Sequence, residues 1–340
     1  HMSQAHGLEI GKTNSTAMAI RRSEGFRRYA FSLQYHGGPF LGFTSVDDDK
    51  KSGGKFSVEY YIRRSLQALV GEANFENIQV SSRTDRGVHA LKNTCHVDIK
   101  PRPGRLPLES KALLAGMNSN ISKQLTSKSI GDPANYVKIL SFVDTPQWMK
   151  NSQYGITKMG QQDFIDWNAR FSALERTYVY RIMHRETPYS IPFEWDRSWK
   201  MKMGTALNVD AMREAAKYLV GSYDVSSFRG PKCQRSTPFV NVTDIAIKSR
   251  PYTFCSIFDD LSLNTESNYA ELVLIRITGE SFAYRQVRNM VGCLVEVGKE
   301  AMSPGDVQQI LAKKDRTKAP ATAPAHGLFL VDVKHSGLVI

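Results

Sequence analysis

Apolar and polar residues alternate through RYAFSLQY (28–35), the period of a strand with one buried face. Further on, Val58, Tyr61, Ile62, Leu66, Leu69 and Val70 recur at helical spacing behind Ser57, a residue type that caps helix starts. NIQVSS (77–82) and TCHVDIK (94–100) read as short strands, ESKALLAGMNSNI (109–121) as a helix and NYVKILSFV (135–143) as a closing strand. In the second of these strands Cys95, Val97 and Ile99 share one face, while His96 and Asp98 share the other. The order is β-α-β-β-α-β, the ferredoxin-like arrangement.

The same order returns in the second half. RTYVYRIMH (176–184) is a strand, and NVDAMREAAKYLVG (208–221) is a helix between Asn208 and Gly221. FVNVTDIAIK (239–248) and YAELVLIRITG (269–279) are strands, and 281–301 is a long amphipathic helix. A helix over 303–315 opens on Ser303 and Pro304, and GLFLVDVKH (327–335) is the last strand. The patterning predicts an α+β protein of two ferredoxin-like (βαββαβ) halves, joined into one mostly antiparallel sheet with a central cleft. The halves fall at 28–145 and 168–340, with a linker or insertion at 146–167 and a flexible basic arm at 1–27. FDDLSLNTESN (258–268) and the basic, proline-rich KPRPGRLP (100–107) read as loops.

A hydrophobic content of 41% over 340 residues is enough for a real core. The mean hydropathy is −0.36, and no apolar run approaches the length of a membrane span. Lys and Arg outnumber Asp and Glu by 45 to 33, a net charge of +12 that suits a polyanionic partner, nucleic acid above all. Cys95, Cys233, Cys255 and Cys293 lie far apart with no C-x-x-C pair, and the eight histidines lack metal-ligand spacing. Neither a zinc site nor a disulfide framework is expected. His1 and Met2 are set aside as a cloning remnant. Residues 3–27 are poor in acids and carry Lys12, Arg21, Arg22 and Arg27, which fits an organellar transit peptide or a disordered basic arm.

The candidate chemistry starts at SSRTDRGVHA (81–90). Asp85 stands between Arg83 and Arg86, and flanking cations favour a charged carboxylate. An ionised carboxylate repels phosphate, so in a nucleic-acid site it makes sense as a nucleophile toward a sugar carbon. By residue type alone, a salt-bridged Thr-Asp-x-Gly turn is the plainer reading. Arg288 lies one position from the apolar stripe Val287, Met290, Val291 and Leu294, so it can point partly inward and need a carboxylate, or else snorkel into solvent. Tyr178 and Tyr180 share a strand face among Arg170, Phe171, Arg176 and Arg181, and such rings either stack on bases or fill a core. SSFRGPKCQR (226–235), with Arg229 and Lys232, and KKDRTK (313–318) are basic runs suited to phosphate or simply to water. YHGGPFLGF (35–43) lacks the Lys-Ser/Thr ending of a P-loop, and no G-x-S-x-G, H-E-x-x-H or dinucleotide fingerprint occurs.

Taken together, SSRTDRGVHA, ARFSALERTYVYRI, YRQVRNMVGCLVEVG and APAHGLFLVDV resemble, in order, four segments of the TruA-type tRNA pseudouridine synthases, over about residues 28 to 335. The resemblance implies that Asp85 is the catalytic nucleophile and Arg288 its partner. It makes Arg83 the side chain that helps displace the target nucleotide, Tyr178 the ring on the uracil and Leu328 a packing residue against the base. It also implies no cofactor, a tRNA substrate modified in the anticodon arm, and a homodimer. RNA contacts are expected from Arg83, Arg86, His89, Lys92, Arg170, Arg176, Arg229 and Lys232. The chain departs from the family pattern at Arg86, where Ala is usual, at Ser82 in place of Gly, and in the 146–165 stretch. SSRTD, SFAYRQVR and APAHGLFL together resemble the eukaryotic pseudouridine synthase-like branch, which implies a mitochondrial site of action, with the cytoplasm as the alternative. Two other readings stand beside this one: a non-catalytic RNA-binding protein, and the same chemistry on mitochondrial or messenger RNA. A nucleoside hydrolase would need a second carboxylate, and none lies nearby in the sequence.

Overall fold

The alternation at 28–35 becomes β1 (Arg27–Tyr35) in a computed structural model that describes residues 25–45, 56–126, 136–145, 149–150, 164–165, 167–184, 194–202, 204–231, 233–252 and 271–340. Most of the expected basic arm, the 258–268 loop and much of the 146–165 stretch lie outside these residues. The fold is mixed α+β with mostly antiparallel strand pairing. It forms two units, one made of residues 1–83, 92–174 and 333–340, the other of residues 84–91 and 175–332. No helix among the described residues is long and apolar enough to cross a membrane.

In the first unit, α1 (Val58–Val70) starts where Ser57 accepts a hydrogen bond from the Tyr60 backbone amide, 3.2 Å. Its buried face is Val58, Tyr61, Ile62, Leu66 and Val70, as the periodicity predicts. Each such side chain contributes about 1.5–3 kcal/mol on burial. The last carbonyls of α1 are satisfied by the proline-rich loop, whose Arg102 donates to Val70 O (3.1 Å) and Ala68 O (3.2 Å). β2 (Phe75–Val80) pairs antiparallel with β3 (His89–Ile99). Leu69 packs on α2 (Ser110–Thr126) at Gly116, where a Cβ would come within 2.6 Å of its Cδ1. β4 (Val137–Asp144) returns antiparallel to β1, so the strand order is β4-β1-β3 with β2 beside β3. Inside the stretch expected as linker, β5 (Met149–Lys150) pairs with β6 (Phe164–Ile165).

The polar face of β3, which carries His96 and Asp98, is buried. Asp98 accepts from Arg28 through both oxygens, 2.7 and 2.9 Å, and from Asn77 at 2.9 Å. His96 accepts the Ala169 amide at Nδ1, 3.0 Å, with Trp167 edge-on beside it. A second layer therefore covers this strand, which alternation alone does not reveal.

The second unit opens with β7 (Ala173–His184), beside which the short β8 (Trp199–Lys200) runs parallel. α3 (Val209–Lys217) stops four residues before the predicted end, because Gly221 turns at φ 122° to begin β9 (Gly221–Asp224). β10 (Phe239–Pro251) and β11 (Glu271–Gly279) form an antiparallel pair, and β11 pairs antiparallel with β7. α4 (Gln286–Gly298) begins five residues later than periodicity predicts, and it is buried at every described position but Arg288 and Glu296. α5 (Pro304–Lys313) carries the capping box announced by Ser303, with Asp306 answering. β12 (Leu328–His335) completes the order β12-β7-β11-β10-β9. Each unit thus sets its last strand beside its first. On the far side of β12, Phe329 and Leu330 pair parallel with His89 and Ala90, which belong to the same unit.

Candidate active site

Asp85 sits in a tight turn closed by the Val88 amide on its own carbonyl, 3.1 Å. Gly87, at φ 82°, supplies the positive φ at the third position that a type II turn requires. A Cβ there would also come within 3.3 Å of Ala325 Cβ. The chain then enters β3 at His89, which is buried, stacks on Phe329 (4.5 Å, 18°) and lies 3.0 Å through Nε2 from the carbonyls of Asp196 and His326. Only an Nε2–H can serve two carbonyls, so this ring is a donor that anchors the turn. His89 is therefore a structural residue, and its burial is at odds with the expected RNA contact.

Arg288 reaches the turn from α4. Its Nε donates to Ala323 O (2.8 Å) and one terminal nitrogen to Asp85 Oδ2 (2.7 Å). The pair is 13% and 18% exposed, close to the surface yet largely withdrawn from water. Among the described residues, Asp85 Oδ1 accepts no hydrogen bond. The inward-pointing alternative for Arg288 is the one adopted, and across 203 positions it finds Asp85. Burial pushes the His326 imidazole below its ordinary range, and Arg288 acts in the same direction.

The strap at 319–327 holds Arg288 in turn. The Ala323 amide donates to Arg288 O, 3.2 Å. Asn289, buried one position on, accepts from Thr322 Oγ1 (2.6 Å) and Arg316 (3.1 Å) and donates to Phe228 O (2.7 Å). Gly292 lets the strap lie against the helix, since a Cβ would be 2.1 Å from Ala321 O. Tyr180 donates to Pro324 O at 2.7 Å, and burial pushes its phenol far above the ordinary value, so it remains a donor. Gly327 leaves room for that ring, which a Cβ would meet at 2.7 Å. Sequence reasoning singles out none of Asn289, Gly292 or Thr322, and it reads Arg316 only within the basic run KKDRTK, although a glycine inside a helical pattern is a usable packing signal.

The other expected residues divide. Tyr178 and Leu328 are buried in the second unit, and Tyr178 meets Phe282 edge to face at 5.4 Å. Arg86 is exposed beside Asp85. Arg83, also exposed, and Lys92, half-buried, belong to the first unit, as does the exposed Arg170, whose guanidinium lies over Phe171. Arg176 is buried and donates to Glu280 O, which is at odds with a phosphate contact. Arg229 is half-buried and donates to the carbonyls of Cys233 and Arg235, and Lys232 lies outside the described residues. Among the described residues, no group of three or more His, Cys, Asp or Glu could hold a metal ion.

A partly exposed carboxylate held at one oxygen by a braced arginine can attack an electrophilic carbon or take up a proton. Comparison with known proteins narrows this. Residues 215–336 match a family model described as tRNA pseudouridine synthase. The chain is 31% identical to a tRNA pseudouridine synthase A of Anaplasma phagocytophilum, over 91% of this chain and 100% of that one. It is 30% identical to the protein of the same name in Paramagnetospirillum magneticum, over 91% and 95%. It is also 29% identical to the human tRNA pseudouridine synthase-like 1, over 92% and 91%.

Proposed function

We propose, since the chain belongs to the TruA family of tRNA pseudouridine synthases, that Asp85 is the nucleophile by which it isomerises uridine to pseudouridine in tRNA. The observation that carries this reading is the state of the carboxylate. Oδ2 is taken by Arg288, while Oδ1 is left with no protein partner among the described residues.

The target uridine is extruded from its stack, at a cost of a few kcal/mol. The bond between uracil N1 and ribose C1′ breaks, and its electron pair leaves with the ring. Asp85 either bonds to C1′ or adds to the ring while this happens. The uracil turns to present C5, a C5–C1′ bond forms, Asp85 is released, the C5 proton departs and N1 gains one. Atoms and charge balance, and water is not consumed. Arg288 neutralises the carboxylate when it is regenerated and fixes its direction. In this reading Tyr178 lies on the uracil, Leu328 packs against it and Arg83 helps hold the nucleotide out of its stack. Arg86, Arg170 and Lys92 serve the phosphates.

The family resemblance further supports a target in the anticodon arm and a homodimer. The basic N-terminal composition supports a mitochondrial site of action. The test is incubation with tRNA transcripts followed by nucleoside analysis of the digest. Pseudouridine is expected from the wild type and none from Asp85→Ala. Release of free uracil would mark a glycosylase, and full activity of Asp85→Ala would remove the assigned nucleophile.

A further inference from the structure

Residues 281–285 lead from β11 to α4, and in chain order two exposed side chains fall between two residues that touch the site. Phe282 meets the Tyr178 ring, and Arg288, three residues beyond the segment, holds Asp85. Between them Tyr284 and Arg285 are both exposed, with the Arg285 guanidinium 4.9 Å from the Tyr284 ring centre. A lone exposed ring needs no explanation. This one is held in place by a backbone that a side chain disfavours. Arg285 is left-handed (φ 59°, ψ 7°), a conformation non-glycine residues adopt at a cost and retain where surroundings enforce it.

The surroundings do so. The Gly230 amide donates to Tyr284 O, 2.7 Å, and the Tyr284 amide donates to Cys233 Sγ, 3.4 Å. Gly230 lies so close that a Cβ would stand 2.8 Å from Tyr284 Cδ1 and 2.9 Å from its carbonyl. Arg235 ties the same loop to Ser281 Oγ, 2.9 Å. A flat ring with a cation over one face is a combination that takes a nucleobase on the other face and a phosphate at the cation.

We infer that Tyr284 and Arg285 form a subsite for the nucleotide adjacent to the target uridine, its base stacked on Tyr284 and its phosphate paired with Arg285. This rests on the proposed reaction, because it takes the Asp85 site as the place where the target lies.

The test uses a tRNA stem-loop and two derivatives with an abasic residue on the 5′ or 3′ side of the target, with affinity and turnover both measured. For the wild type, one abasic neighbour is expected to weaken binding roughly five- to 150-fold, the span of one base–aromatic stack. Tyr284→Ala is expected to show the same loss on intact RNA and no further loss on that abasic RNA. Tyr284→Phe keeps the ring and restores affinity. Arg285→Gln lowers the slope of log affinity against log salt by about one. Wild type that binds both abasic RNAs as tightly as intact RNA overturns the subsite, whether or not Tyr284→Ala folds. So do losses from Tyr284→Ala and the abasic residue that simply add. Ring-dependent binding without any pseudouridine would sink the proposed reaction and leave the subsite standing.

Discussion

Two arginine–aspartate pairs, one in each unit, use the same groups to opposite ends. Arg28 grips Asp98 through both oxygens, the pair is 6% and 0% exposed, and Asn77 and Trp167 O take up further polar atoms. Arg288 touches Asp85 through a single oxygen, the pair is partly exposed, and Oδ1 remains without a partner among the described residues. A buried carboxylate with both oxygens taken is a fixed structural element. One with an oxygen left over, held in direction but reachable, can form a new bond. What separates the two is saturation and access, not residue type.

Exchanging Asp for Asn at each position tests that contrast most severely. Asp85→Asn is expected to lower turnover by roughly four orders of magnitude or more while the melting temperature stays near that of wild type. Asp98→Asn leaves a buried Arg28 without its anion, at about 3–5 kcal/mol, so it should lower the melting temperature sharply and spoil activity only through unfolding. Equal loss of stability in both variants would dissolve the distinction. A smaller effect is expected from Arg288→Lys, which keeps the charge but cannot serve Ala323 O and Asp85 with one rigid fork. Its kcat should fall roughly a hundredfold with little change in RNA affinity. Gly292→Ala pushes the strap off α4 without touching Asp85, and about 1–3 kcal/mol of stability should go with it, together with part of kcat.

The gentlest probe is acid. Burial holds His96 neutral well below the ordinary histidine range, with Arg28 adding to the effect. The unfolded chain protonates this ring near pH 6.5 and the folded chain does not, so the unfolded state binds more protons below that pH. The stability tied to His96 is whole above about pH 6.5 and declines as pH falls further. Thermal melts of wild type and His96→Gln should therefore converge on acidification from pH 7 to 5, and a gap that stays constant would remove His96 as the cause.

The local part of this protein is legible in its residues alone. Ser57 ahead of α1, the Ser303–Pro304–Asp306 cap of α5 and the apolar face of Val58, Ile62 and Leu66 all act within one or two helical turns, and the structure shows each in place. The ordered segments around Asp85, Tyr178, Arg288 and Leu328 are legible too, because each is a short local motif. Beyond that range periodicity misleads. It extends α4 back through 281–285, where Gly230 and Cys233, some fifty residues away, hold Arg285 left-handed. It also gives no sign that His96 and Asp98 are buried, since nothing in the strand announces the layer that covers it. His89 and Arg176 look like basic contacts for RNA, and only their burial shows them donating to main-chain carbonyls. The sequence by itself determined the long helices and strands and which carboxylate stands in the motif. Tertiary structure alone decided which arginine meets which aspartate, over separations of 70 and 203 residues, and how much of each carboxylate stays open. Local propensity acts between neighbours, whereas access to a carboxylate depends on everything that packs around it.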